Sequence, residues 1–285
     1  FSTLWNGKFE RKDREYLKMI KLIYDGLSIE NDKVVYSTDA DSPNDVMNVI
    51  EPDIYKSEFG GNVYYFGYAF KDSTSRKDRT TVIRWIKGLG QDVADSASVK
   101  NMIDKALLYF NKNVNISDIS CIVYPRSGRS SLTNTIIKEL GNFFQRDTIK
   151  TAIEFVKNLP KDVSFDWEEF DFEYDGVIGD NQYNQIKDYI ESTLLPSIHS
   201  LDYFSLADSV KVKYRRYIKN YLNIDERSKE VIKSIQSGKI LIVDDINTSG
   251  STLNEIIRII RKINNQCEIY IFTLIGKEWV WSGNS

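Results

Sequence analysis

Two stretches of this chain follow the same grammar. Residues 119–124 form a short, continuous apolar run, and residues 125–131 break it with polar and small side chains. Leu132, Ile136, Ile137, Leu140, Phe143 and Phe144 then recur at helical spacing. Much later, residues 240–243 repeat the apolar run and residues 244–252 the polar break. Leu253, Ile256, Ile257, Ile260 and Ile263 mark a helical face, and residues 268–274 close with another apolar strand. A short apolar run without alternation suits a strand covered on both faces. Strand–loop–helix units followed by a returning strand fold as a parallel sheet with crossover helices. The expected fold class is therefore α/β, a parallel sheet with flanking helices. Ligands of such sheets bind at the carboxyl ends of the strands, where both polar breaks lie.

The rest of the chain is arranged around this core. Val99, Met102, Ile103, Ala106, Leu107 and Phe110 mark a further helix before the first unit, so the core is expected to span residues 96–285. Residues 147–205 read as a helical insertion. Within it Phe170, Phe172 and Tyr174 alternate with Asp171, Glu173 and Asp175, a strand-like period. Residues 1–95 read as an N-terminal α+β region, with a helix over 10–26 and strands over Lys33–Ser37 and 63–70.

Composition removes several chemistries. The chain has one His and two Cys, too few and too scattered for a four-ligand Cys/His zinc site. His199, the one imidazole, reads as structural. The balance of 38 basic to 41 acidic residues, a net charge of −3, gives no basic footprint for nucleic acid. No apolar run reaches the ~18 residues of a membrane span, and the first residues lack an apolar signal core. The expected setting is cytoplasmic, with no nucleic-acid or membrane partner.

The chemistry is concentrated in the second polar break. Ile240, Leu241, Ile242 and Val243 deliver Asp244 and Asp245 to the end of a buried strand. Ile246 and Asn247 follow, then Thr248, Ser249, Gly250, Ser251 and Thr252 lead into a helix. The first turn of a helix has unpaired N–H groups and a positive dipole end. Hydroxyls beside it, and a glycine that lets backbone approach a ligand, make a cradle for a phosphate monoester. Carboxylates repel that phosphate but accept hydrogen bonds from a diol. A sugar phosphate satisfies both halves.

This stretch resembles the phosphoribosyl-pyrophosphate motif of type I phosphoribosyltransferases, with Asn247 where an aliphatic residue is usual. In that family an earlier strand ends in a pyrophosphate-holding loop. Arg126, Ser127, Gly128, Arg129, Ser130 and Ser131 stand in that place, with two guanidinium forks for a diphosphate. The order of elements is most similar to the ComF-like branch, over about residues 97–145 and 205–277. The chain has no Cys for the N-terminal zinc module common there.

The resemblance implies a phosphoribosyltransferase that uses phosphoribosyl pyrophosphate and Mg2+ carried by the substrate, with no dedicated metal ligands on the protein. A nucleobase or base-like acceptor would displace pyrophosphate at ribose C1. Asp244 and Asp245 would orient the ribose and, with Arg126, stabilise charge at the transition state. Thr248, Ser249, Gly250, Ser251 and Thr252 would hold the 5′-phosphate, and Arg126, Ser127, Gly128 and Arg129 the pyrophosphate. A basic loop that closes over the site is expected in Lys213, Arg215 and Arg216, and Trp279 and Trp281 are candidates for stacking on a base. A homodimer is the family-level expectation. The family also contains regulators that keep the pocket without turnover, which is the alternative reading here.

Overall fold

The structure, a computed structural model, describes residues 26–30, 33–37, 47–49, 57–59, 61–70, 75–89, 94, 96–128, 130–143, 151–236 and 238–276. Residues 10–25 of the expected helix, Arg129, Trp279 and Trp281 lie outside the described residues, and Gly26, its expected last residue, opens a strand. Strands β1 (Gly26–Glu30), β2 (Lys33–Ser37), β3 (Met47–Val49), β4 (Ser57–Phe59) and β5 (Asn62–Phe70) lead into helices α1 (Arg76–Ile86) and α2 (Ser96–Asn113). Strand β6 (Ile119–Pro125), helix α3 (Leu132–Phe143) and strand β7 (Ala152–Lys157) follow. The next stretch carries β8 (Ser164–Phe165), α4 (Trp167–Tyr174) and α5 (Asp180–Tyr189), whose end passes through a π-helical turn (Ile190–Leu194) into α6 (Leu195–His199). Then come α7 (Leu206–Ser209), a 3-10 helix (Val212–Tyr217), β9 (Ile218–Lys219), β10 (Leu222–Asn223) and α8 (Glu226–Lys233). Strand β11 (Lys239–Ile246), helix α9 (Ser251–Ile263) and strand β12 (Glu268–Gly276) complete the described chain.

The main sheet runs in the order β10–β7–β6–β11–β12–β5–β3, with β4 also paired to β5. Strands β7, β6, β11, β12 and β5 are parallel, and the edge strands β10, β3 and β4 are antiparallel to their neighbours. Alternation along β11 divides the core. Ile240 and Ile242 pack on one face with α9 and the helices of the 160–235 region. Leu241 and Val243 pack on the other with α1, α2 and α3. Both faces are covered, as the unalternated apolar runs require. Among the described residues no helix is long and apolar enough to cross a membrane.

Three expectations change. Strand β5 sits inside the sheet beside β12, so the sheet crosses the expected division at residue 95. Its Tyr64, Tyr65 and Phe66 are buried on both faces, which is the burial of a central strand, not of an appended module. Strand β7, within the expected helical insertion, is also part of the sheet. The alternating stretch after Trp167 is helix α4, not a strand. Asp166 caps it by accepting the Glu169 N–H at 3.0 Å. A period of two also contains the i, i+4 pair Phe170 and Tyr174, which pack with ring centroids 4.6 Å apart, while Phe172 points out to solvent.

Candidate functional site

Helix α3 carries the chain from β6 to β7 on one face of the sheet, and α9 carries it from β11 to β12 on the other. The strand order reverses direction between β6 and β11. The loops leaving these two strands diverge there, and the crevice they open is where α/β sheets take ligands. Both sequence-predicted loops therefore leave the sheet at this switch point.

On the β11 side the strand is longer than expected. It runs to Ile246, which pairs with Ile275, and the Asn247 N–H donates to the Ile275 carbonyl at 2.9 Å. Asp244 and Asp245 are thus strand residues and not part of a loop, and consecutive strand residues leave on opposite faces. Asp244 goes to the α9 face and Asp245 to the α1 face. Both are buried. The Asp244 carboxylate accepts the Asp245 N–H at 2.8 Å. Burial first, and then the neighbouring Asp245 charge, push its pKa up to about 7, with Lys87 and that N–H pulling the other way. Asp245 is paired with Lys87, whose Nζ lies 2.9 Å from Oδ1 and 2.8 Å from Oδ2. Sequence reading missed Lys87. It ends a helix far away along the chain, and only the placing of α1 over the end of β11 brings it in.

The loop that follows is short. Gly250 takes the left-handed conformation at φ 73° and is the N-cap of α9, with no side chain capping the helix. Helices α1, α4 and α8 are instead capped by Ser75, Asp166 and Asp225. Thr248 is exposed, Ser249 and Thr252 are half-buried, and Ser251 is buried. The Ser249 and Ser251 hydroxyls lie 3.1 Å apart. The Tyr221 hydroxyl donates to the Ser251 carbonyl at 2.8 Å and fixes the first turn from beneath. The Asn247 amide donates to the Tyr64 hydroxyl at 3.1 Å, which in turn lies 2.9 Å from Thr273 Oγ1. Among the described residues the buried Asn247 side-chain oxygen finds no hydrogen-bond partner.

On the β6 side, Ser127 Oγ accepts the Ser130 N–H and Ser130 Oγ accepts the Leu132 N–H, so the loop is shaped by its own hydroxyls. Gly128 is exposed. Arg126 is exposed and forms an ion pair with Glu154 of the adjacent strand, 2.6 Å from Nη2 and 2.8 Å from Nε.

The basic cluster expected to close over the site is built differently. Lys213, Arg215 and Arg216 lie on the 3-10 helix. Arg215 donates to the Val210 and Ala207 carbonyls at 2.8 and 2.7 Å. Arg216 pairs with Glu169 and Glu173, and Lys219 with Glu169. Lys213 lies over the Tyr214 ring, 4.6 Å from its centroid. The acidic residues of α4 are the partners that sequence reading did not supply, because it placed them on a strand. His199 bonds the Val163 carbonyl through Nε2 at 2.8 Å. Compared with known protein families and with curated proteins, the sequence matches none.

Proposed function

We propose that this chain binds phosphoribosyl pyrophosphate, with magnesium riding on the substrate, and transfers its phosphoribosyl group to a nucleobase or base-like acceptor. The observation that carries the reading is a juxtaposition. A strand carrying two acids near its carboxyl end, a helix opening on a left-handed glycine with no side-chain cap, and a second small-residue loop lie at one reversal of strand order. The N–H groups of the first turn of α9, with the hydroxyls of Thr248, Ser249, Ser251 and Thr252, receive the 5′-phosphate. Asp244 accepts from the ribose hydroxyls and favours the cationic character that develops at C1. The 126–131 loop receives the diphosphate, and Arg126 leaves Glu154 to offset the departing charge.

A second reading is a regulator that binds the same ligand without turnover. One observation favours it: Arg215 and Arg216 are held by the chain's own carbonyls and carboxylates, which leaves the expected basic cover without free guanidinium groups.

Thermal denaturation with phosphoribosyl pyrophosphate and magnesium tests both. The ligand raises the melting temperature of the wild type, and Asp244→Ala with Asp245→Ala removes the shift. An unchanged wild-type curve overturns both readings. Pyrophosphate release across a panel of bases then separates transferase from regulator.

A further inference from the structure

We propose that Lys87, supplied by the N-terminal region, is a positioning residue of the acid pair. It holds Asp245 on the α1 face of the sheet and leaves Asp244 as the carboxylate that meets a ligand on the α9 face. The ligand part of this inference rests on the function proposed above; the division of labour between the two acids rests on the geometry alone.

Lys87 is the C-cap of α1; its N–H donates to the Ile83 carbonyl at 3.0 Å, and the Gly88 N–H donates to the Trp85 carbonyl at 3.2 Å. The buried side chains of Trp85 and Ile86 anchor that end of the helix in the core of this face. The ammonium is thereby delivered to both carboxylate oxygens of Asp245, which is 4% exposed. A buried carboxylate is tolerated when it is paired, and breaking such a pair leaves a charge uncompensated. A ligand seated against the first turn of α9 lies on the other side of β11. To reach it, Asp245 would have to abandon Lys87, whereas Asp244 leaves the strand on that side already. Among the described residues, the titratable and charged groups that act on Asp244 are Asp245 and Lys87 across the strand and Tyr221 on its own face. Lys87 is the cation among them, so it also keeps Asp244 easier to ionise than burial beside Asp245 would otherwise allow.

The test is a carbon-13 NMR titration of the Asp244 carboxyl in the free full-length protein, assigned by its loss in Asp244→Asn. Lys87→Met and Lys87→Gln raise the midpoint by about one pH unit or more; Lys87→Arg, which keeps the charge, does not. The Gln variant keeps a donor for Asp245, so it reports even where Met disturbs packing. A midpoint unmoved by both neutral variants overturns the proposal. With phosphoribosyl pyrophosphate and magnesium, Asp244→Asn abolishes binding and Asp245→Asn weakens it less. Lys87→Gln loses about tenfold in affinity near neutral pH and recovers it at higher pH. Equal losses in the two Asn variants overturn the division of labour. A wild type that ignores the ligand overturns the proposed function, while the titration still decides the role of Lys87.

Discussion

The hydroxyl of Tyr203 stands 2.8 Å from the position that a Cβ on Gly128 would take. Lys157, at the carboxyl end of β7, holds that tyrosine in place. Its ammonium bonds the hydroxyl, lies 4.1 Å from the ring centroid and also donates to the Phe204 carbonyl at 2.9 Å. The region between β7 and β10 thus reaches the 126–131 loop through Tyr203.

Gly128→Ala sets a methyl group against the far end of a half-exposed side chain, which can swing aside. Its stability cost is within about 0.5 kcal/mol. Gly128→Val crowds the same hydroxyl more and costs about 1–2 kcal/mol. Tyr203→Ala in the same chain relieves most of that loss. Denaturation of the four proteins checks it, and a Val penalty untouched by Tyr203→Ala places the strain elsewhere.

Asp244 makes stability depend on pH in a defined direction. Its folded pKa is raised to about 7 by burial and by Asp245, while an unfolded Asp titrates near about 3.9. Between about pH 4 and pH 7 the native state therefore binds more protons than the unfolded chain, and this group's contribution falls as pH rises through that window. Above about pH 7 both states are ionised and the loss is complete. Asp244→Asn removes the dependence. The variant is more stable than the wild type at about pH 8, by on the order of a few kcal/mol, and the gap closes toward about pH 4. Denaturant titrations across that range check it; a gap that does not widen with pH contradicts the burial assigned to Asp244.

Glu255 is the joint between α9 and the region that precedes β10. It is 1% exposed, accepts two hydrogen bonds from Arg258 at 2.7 Å each, and accepts the Asn220 N–H at 2.7 Å. Asn220 is held there at φ 59°, a left-handed conformation that asparagine tolerates. Glu255→Ala leaves Arg258 and the Asn220 N–H without their acceptor and costs about 3–5 kcal/mol. Arg258→Met costs a similar amount, because it strands the buried carboxylate. Urea denaturation reads both; a loss below about 1 kcal/mol for either shows that the network relaxes into water.

The parallel core was legible because its signal is local. Runs such as residues 119–124 and 240–243 suit short strands covered on both faces, and the helices after them follow from spacing. Their common sheet edge followed from topology rules. What was not legible is what arrives from elsewhere. Strand β5 was readable as a strand, but nothing in its sequence says that it pairs with β12. Lys87 has no motif around it. The strand-like reading of residues 170–175 failed because Phe170, Phe172 and Tyr174 satisfy two periods at once, and the Asp166 cap decides for the helix. The Arg216 charge looked unclaimed for the same reason, since its partners Glu169 and Glu173 lie on that helix.

Arg126 offers the last test. Its guanidinium is exposed and bound to Glu154, and an exposed pair is readily exchanged for a stronger anion. A diphosphate in the 126–131 loop presents more charge than one carboxylate and the same fork geometry. Glu154 then acts as a competitor. Glu154→Gln removes the competing charge while keeping the shape of the side chain. It leaves the melting temperature of the free protein unchanged and raises the affinity for pyrophosphate several-fold, with the gain shrinking at high salt. Calorimetric titration of pyrophosphate and magnesium into both proteins measures it. A lowered affinity instead makes Glu154 the residue that aims Arg126 at the ligand, because losing the carboxylate would then cost orientation and not relieve competition.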